Sequence, residues 1–161
     1  MTGLQTVERS DTISLAALTE EVFCDLDPVA EKHQVRLIQT DGDCTVTGSY
    51  ILLYRAVYNL VENAIKYNRP SGSVTVSIHS AESAVLEVTD TGIGISPENQ
   101  EKIFDPFYRV DKSRSRAMGG AGLGLALVSE IARQHNGQVK VTQSSEKGST
   151  IALILPESTD Y

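Results

Sequence analysis

The sequence has no tryptophan and only two cysteines, Cys24 and Cys44, in 161 residues. Two cysteines fit neither a disulfide framework nor a metal-ligand set, so a reduced, cytoplasmic setting and a packing role for each thiol are expected. No stretch approaches the ~20 apolar residues of a membrane helix. Residues 1–14 lack the apolar core of a signal peptide. Excess positive charge is missing as well. The net charge is -7, which argues against a nucleic-acid-binding body. Repeats, low-complexity tracts and interdomain linkers are not seen. What remains is an ordinary soluble composition, 40% apolar and 22% charged, in a chain of single-domain size. The positive charge that exists is clustered at Arg109, Lys112, Arg114 and Arg116, which points to a local anion.

Residues 1–10 have no period and read as a poorly ordered remnant of an upstream segment. Leu15, Leu18, Val22, Leu26 and Val29 recur at helical spacing, giving a helix over about 15–33. Val35–Gln39 alternates like a half-buried strand, Asp41-Gly42-Asp43 marks a turn, and Cys44–Thr47 reads as a short returning strand. Ser49 is placed to cap a longer helix over about 50–67, stopped by Asn68-Arg69-Pro70-Ser71-Gly72. Val74–Ile78 and Val85–Thr89 alternate on either side of Ala81-Glu82-Ser83 and form a hairpin. An irregular stretch over about 90–121 leads to a helix from Leu123 to about Gln134. Val139–Val141 and Ile151–Leu155 close the chain around Glu146-Lys147-Gly148. Three helices with antiparallel hairpins predict a two-layer α+β sandwich, a mixed sheet of about five strands packed on three helices.

On a wheel of the second helix, Leu53, Val57, Leu60, Val61 and Ala64 share one side. Arg55, Asn59, Glu62, Asn63 and Lys66 share the other, within an arc of about 100°. Asn59, Asn63 and Lys66 thus line up at i, i+4 and i+7. Amide oxygens suit Mg²⁺, which completes its shell with water and substrate phosphates, and a lysine one turn on meets a phosphate as a point charge. Taken alone, a solvated face with two indifferent asparagines is the better account.

The downstream segments change that balance. Asp90 ends an apolar strand, in Asp90-Thr91-Gly92-Ile93-Gly94, and should project from the sheet edge. A carboxylate beside close-approaching glycine backbone can accept from an exocyclic amine such as that of adenine. A bare Asp-Thr-Gly turn has the same residues for purely local reasons. Gly119–Gly124 precede a helix and offer backbone N–H groups to a phosphate. Leu125 and Ala126 after Gly124 disfavour a Walker loop, and the glycine spacing disfavours the dinucleotide fingerprint. Phe104, Phe107 and Tyr108 beside Arg109 and the basic run suggest an aromatic-anchored flap that lays positive charge on a triphosphate. Core packing would explain the same aromatics about equally well.

In order and spacing, these segments resemble the catalytic, ATP-binding domain of sensor histidine kinases, in the superfamily that also holds gyrase, Hsp90 and MutL. Asn59–Tyr67 is similar to the N box, Asp90–Ile95 to the G1 box, Phe104–Arg109 to the F box and Gly120–Leu125 to the G2 box. Gly148-Ser149-Thr150 is similar to the closing signature. The resemblance implies the Bergerat ATP-binding fold over residues 11–161, with an ATP lid at about 95–119. It implies ATP and Mg²⁺ as cofactors. Asn63 would ligate Mg²⁺ directly and Asn59 through a water or a contact behind it. Lys66 and Arg109 would meet the phosphates, and Tyr67 would pack on the nucleotide. Asp90 would take the adenine amine, with Gly92, Gly94 and Ile95 shaping the base pocket. Gly120, Gly122, Leu123, Gly124 and Leu125 would bring backbone to the phosphates, and Thr150 would support the adenine end. Two positions depart from the pattern. Ala121 stands where Thr or Ser is usual, and Asn68 where Thr or Ser is common.

None of the three histidines, His33, His79 and His135, has the Ser-His-Glu context of a phosphoacceptor. The resemblance therefore implies a kinase fragment whose acceptor histidine lies on a separate dimerisation domain, with a response regulator downstream and no nucleic acid among its partners. The fragment is expected to be monomeric, the intact protein a homodimer, and the chain a cytoplasmic domain of a membrane-bound sensor. Two other readings stay open. One is a serine kinase of the anti-sigma-factor type. The other is a hydrolytic ATPase clamp, which would need a glutamate where Asn59 stands.

Overall fold

The computed structural model describes residues 11–105 and 125–158. In chain order the elements are β1 (Asp11–Ser14), α1 (Leu15–Lys32), β2 (Arg36–Gln39), β3 (Thr45–Gly48), α2 (Tyr50–Lys66), β4 (Ser73–Ala81) and β5 (Ser83–Asp90). Two short 3-10 turns follow, Pro97–Asn99 and Lys102–Phe104. Then come α3 (Ala126–Gln134), β6 (Gln138–Ser145) and β7 (Gly148–Leu155). A five-stranded sheet has the order β2-β4-β5-β7-β6, and β1 pairs with β3 in a separate two-stranded sheet. Only the β2–β4 pairing is parallel in the larger sheet; the others are antiparallel. The expected α+β sandwich of a mixed five-stranded sheet under three helices is what the described residues form.

The helix starts follow from local chemistry. Ser14 Oγ accepts from the Ala17 N–H at 3.2 Å and Ser49 Oγ from the Leu52 N–H at 3.3 Å. Each satisfies a donor that the first helical turn leaves unpaired. Apolar periodicity then decides what faces inward. Leu53, Val57, Leu60, Val61 and Ala64 of α2 are all buried, as are Val74, Val76 and Ile78 of β4 and Leu86 and Val88 of β5. Each large aliphatic side chain buried this way stabilises the fold by about 1.5–3 kcal/mol. His135, after α3, is buried in the same layer. Its Nδ1 donates to the Ile131 carbonyl at 2.8 Å and its Nε2 accepts the Ser49 N–H at 3.1 Å, which fixes the tautomer and pins the α2 cap to α3.

Several elements differ from the sequence expectation. Residues 11–14 form β1, whose Ile13 is buried; a four-residue strand paired across thirty-odd positions carries too little pattern to read. β6 is longer than Val139–Val141 because a register shift between Val141 and Gln143 breaks its alternation while pairing with β7 continues to Ser145. Cys44 is buried as expected, but Cys24 is exposed on α1 and packs nothing into the core. Phe104 packs against the core, so that aromatic has the structural role. Phe107, Tyr108, Arg109 and the basic run lie outside the described residues, as do residues 1–10.

Candidate functional site

A cavity of about 470 Å³ opens between α2, the end of β5 and the β6–β7 turn. From α2 and its end come Leu60, Asn63, Ala64 and Tyr67; from β5 come Val88 and Asp90; Ile93–Pro97 and Asn99 form one wall. Leu125, Ser144–Glu146, Ser149 and Ile151 complete it. The volume falls in the range of small-molecule and cofactor pockets.

Asp90 sits at the end of the central strand, not at an edge of the sheet, because β5 lies between β4 and β7. That position explains its partial burial and its partners. The Gly92 N–H donates to Oδ1 at 2.8 Å and the Ser149 hydroxyl donates to Oδ2 at 3.0 Å. Burial pushes the Asp90 carboxyl up from its ordinary value, and these two donors partly offset the shift. Both oxygens are thus oriented, and each keeps acceptor capacity for a donor inside the cavity. Gly92 and Gly94 make this possible sterically. A Cβ at Gly92 would lie 2.3 Å from the Tyr67 carbonyl oxygen, and one at Gly94 would lie 2.0 Å from that of Ser145. Gly94 also holds φ +78, which favours glycine.

On the opposite wall, Asn63 Nδ2 donates to the Asn59 carbonyl at 2.9 Å. The helix therefore takes the donor end of that amide, and the acceptor end is what a cation would meet. Asn63 and Tyr67 line the cavity, with Gly94, Ile95 and Leu125. Asn59 and Lys66 are on the predicted face but do not line it; Lys66 Nζ instead lies 3.8 Å from Glu62. Among the described residues no cluster of His, Cys, Asp or Glu is built to hold a metal.

Thr150 is not at the cavity wall. Its hydroxyl meets that of Thr89 at 2.9 Å on the neighbouring strand, while Ser149 is the residue that reaches Asp90. Ser149 was hidden in the Gly-Ser-Thr segment. β7 pairs Asp90 with Ser149, and that register puts the hydroxyl beside the carboxylate. Ser144 was also missed, and its Oγ accepts the Ile95 N–H at 2.7 Å. Arg109, Gly120, Gly122, Leu123 and Gly124 lie outside the described residues.

The family described as histidine kinase-, DNA gyrase B- and HSP90-like ATPase matches residues 48–159. The chain belongs to this family. Within it, the ATP-binding catalytic domain is of the sensor histidine kinase kind. The sensor-like histidine kinase SenX3 of Mycolicibacterium smegmatis is 37% identical over 161 residues, 98% of this chain and 42% of that protein. The sensor histidine kinase RppB of Synechocystis is 44% identical over 140 residues, 86% of this chain and 30% of that protein. The solved structure of the mycobacterial sensor histidine kinase MprB is similar with a TM-score of 0.76 at 28% identity, over 91% of this chain and 97% of that one. The histidine-kinase-type domain spans less than half the length of these two curated relatives. No described helix is long and apolar enough to cross a membrane.

Proposed function

We propose that this domain binds Mg·ATP in the cavity and donates the γ-phosphoryl to a histidine on a separate dimerisation domain of the same kinase. The observation that carries the reading is the pairing of Asp90 and Asn63 in one cavity. A half-buried carboxylate oriented by Gly92 and Ser149 faces the space that the Asn63 amide of α2 also borders. The carboxylate accepts the adenine amine. The Asn63 oxygen is the hard ligand that would hold Mg²⁺ here, the remaining ligands coming from phosphates and water. When bound, the ion neutralises charge on the β- and γ-phosphates.

The chain's own residues then position rather than react. Tyr67 and Ile95 border the cavity beside the purine, Asn63 holds the phosphate end, and Lys66 and Arg109 supply charge to the phosphates. An imidazole nitrogen of the acceptor attacks the γ-phosphorus as the bond to the β-phosphate bridging oxygen breaks, leaving ADP. A neutral imidazole is the nucleophile, as its ordinary pKa allows. The intact protein is read as a homodimeric, membrane-attached sensor that passes the phosphoryl group to a response regulator.

The test is labelled ATP with Mg²⁺ and a supplied histidine-bearing helical-hairpin domain. Acid-labile, base-stable label on that domain is expected with the native chain and none with Asn63→Ala. Acid-stable label would instead mean a phosphoserine product. Unchanged transfer by the variant would remove Asn63 from the metal role.

A further inference from the structure

The base end of the cavity is held from outside by residues that do not line it. Arg69, exposed in the α2–β4 loop, donates from Nε to the Gly92 carbonyl at 3.3 Å and from Nη2 to the Glu146 carbonyl. Gly92 belongs to the turn that carries Asp90, and Glu146 to the β6–β7 turn. Arg69 thus bridges two turns that also pack directly on each other, Gly94 against the Ser145 carbonyl and the Ile95 N–H on Ser144 Oγ. The Gly92 residue is gripped on both sides, its N–H by Asp90 and its carbonyl by Arg69.

Arg69 itself is set by Asn68. Asn68 Oδ1 accepts the Arg69 N–H at 2.8 Å and the Thr91 hydroxyl at 2.9 Å, while Asn68 Nδ2 donates to the Ser73 carbonyl at 2.8 Å. The Ser73 N–H returns to Thr91 Oγ1 at 2.9 Å. The Asn68 amide spreads these three bonds over two polar atoms, whereas a Thr or Ser hydroxyl would have to make them from one oxygen on a shorter side chain. The departure at position 68 therefore has a structural consequence.

We propose that Arg69, seated by Asn68, is a positioning residue for base recognition, clamping the Gly92 turn to the Glu146 turn and so holding the Asp90 carboxylate in place at the base end. The inference rests on the reading that the nucleotide base occupies the Asp90 end. It acts through the wall, so its mark is selectivity between bases and not phosphate affinity.

The test is calorimetric affinity of the full chain for Mg·ATP and Mg·GTP, with Arg69→Ala, Asn68→Ala and Lys147→Ala. Lys147 is on the same turn and borders the same surface hollow as Arg69, so it controls for lost positive charge. Arg69→Ala is expected to weaken ATP about fivefold with GTP little changed. Asn68→Ala should move the same way, and Lys147→Ala should leave the ATP-to-GTP ratio as it was. An Arg69→Ala ratio within about twofold of native, an equal loss for both nucleotides, or the same loss in Lys147→Ala overturns the clamp alone. A native chain with no preference for ATP overturns the base-end reading and the clamp together.

Discussion

The two ends of the cavity are built on different physical principles. At the base end, hydrogen bonds are in place before any ligand arrives. Asp90 holds two donors, Ser144 holds the Ile95 N–H, and Asn68, Thr91 and Ser73 knot the turn behind it. The α2 end has fewer fixed contacts. Asn63 is steadied by its own helix and Lys66 shares a part-exposed pair with Glu62. A site preorganised at one end recognises a fixed group, the base, at little reorganisation cost. The other end meets a charged group that brings its own cation and water, so stiff geometry there has less to gain.

The largest effect should come from breaking the stiff end. Asp90→Asn keeps the shape but turns an amide toward donors that need an acceptor. Hydrogen bonds to a charged group are worth about 1.5–3 kcal/mol, so ATP affinity should fall about 10- to 100-fold. Titration calorimetry reads it directly. A loss under threefold would mean that the base does not use this carboxylate.

Asp90 was legible because its position at the end of an apolar strand is a pattern of period two, and Asn63 because α2 keeps a clean helical period. Ser49 was legible as a cap for the same local reason. Ser149 was not, since its role depends on register across β5 and β7, which no local pattern encodes. The same holds for β1, fixed by pairing with β3, and for the Ser144 and Arg69 contacts, which join segments far apart in the chain. Local period and capping carry the elements; long-range pairing carries most of the site's inner wall.

Acidification should separate the two ends by a smaller amount. Burial raises the folded-state pKa of Asp90 above its ordinary value of 3.8. A carboxyl raised on folding favours its protonated form in the native state. Its cost to stability is therefore absent below the unfolded pKa and appears as pH rises through the folded one. The ligand-free chain should gain stability from this group on acidification, while ATP binding, which needs the ionised acceptor, should weaken over the same window. Comparing native chain with Asp90→Asn at each pH cancels the titration of the nucleotide and of the other carboxylates. If the two show parallel pH profiles for both ATP affinity and unfolding midpoint, Asp90 is not the group that titrates.

The smallest effect tests the looser end. Lys66 and Glu62 are an i,i+4 pair at 3.8 Å with side chains 37% and 30% exposed. Such pairs contribute about 0.3–0.5 kcal/mol, so Glu62→Gln should lower stability by no more than that in urea unfolding. Lys66 is then released toward solvent and phosphate, and nucleotide affinity should change less than about twofold. Phosphoryl transfer should be unaffected, because Glu62 faces Lys66 and does not border the cavity. The same variant weighs the hydrolytic clamp, in which a glutamate on this helix activates water. Glu62 is the acid of α2 nearest to Asn59. If ATP hydrolysis by the native chain is fast and Glu62→Gln abolishes it, the α2 end carries a general base, and the contrast between a stiff reading end and an adaptable charge-bearing end fails.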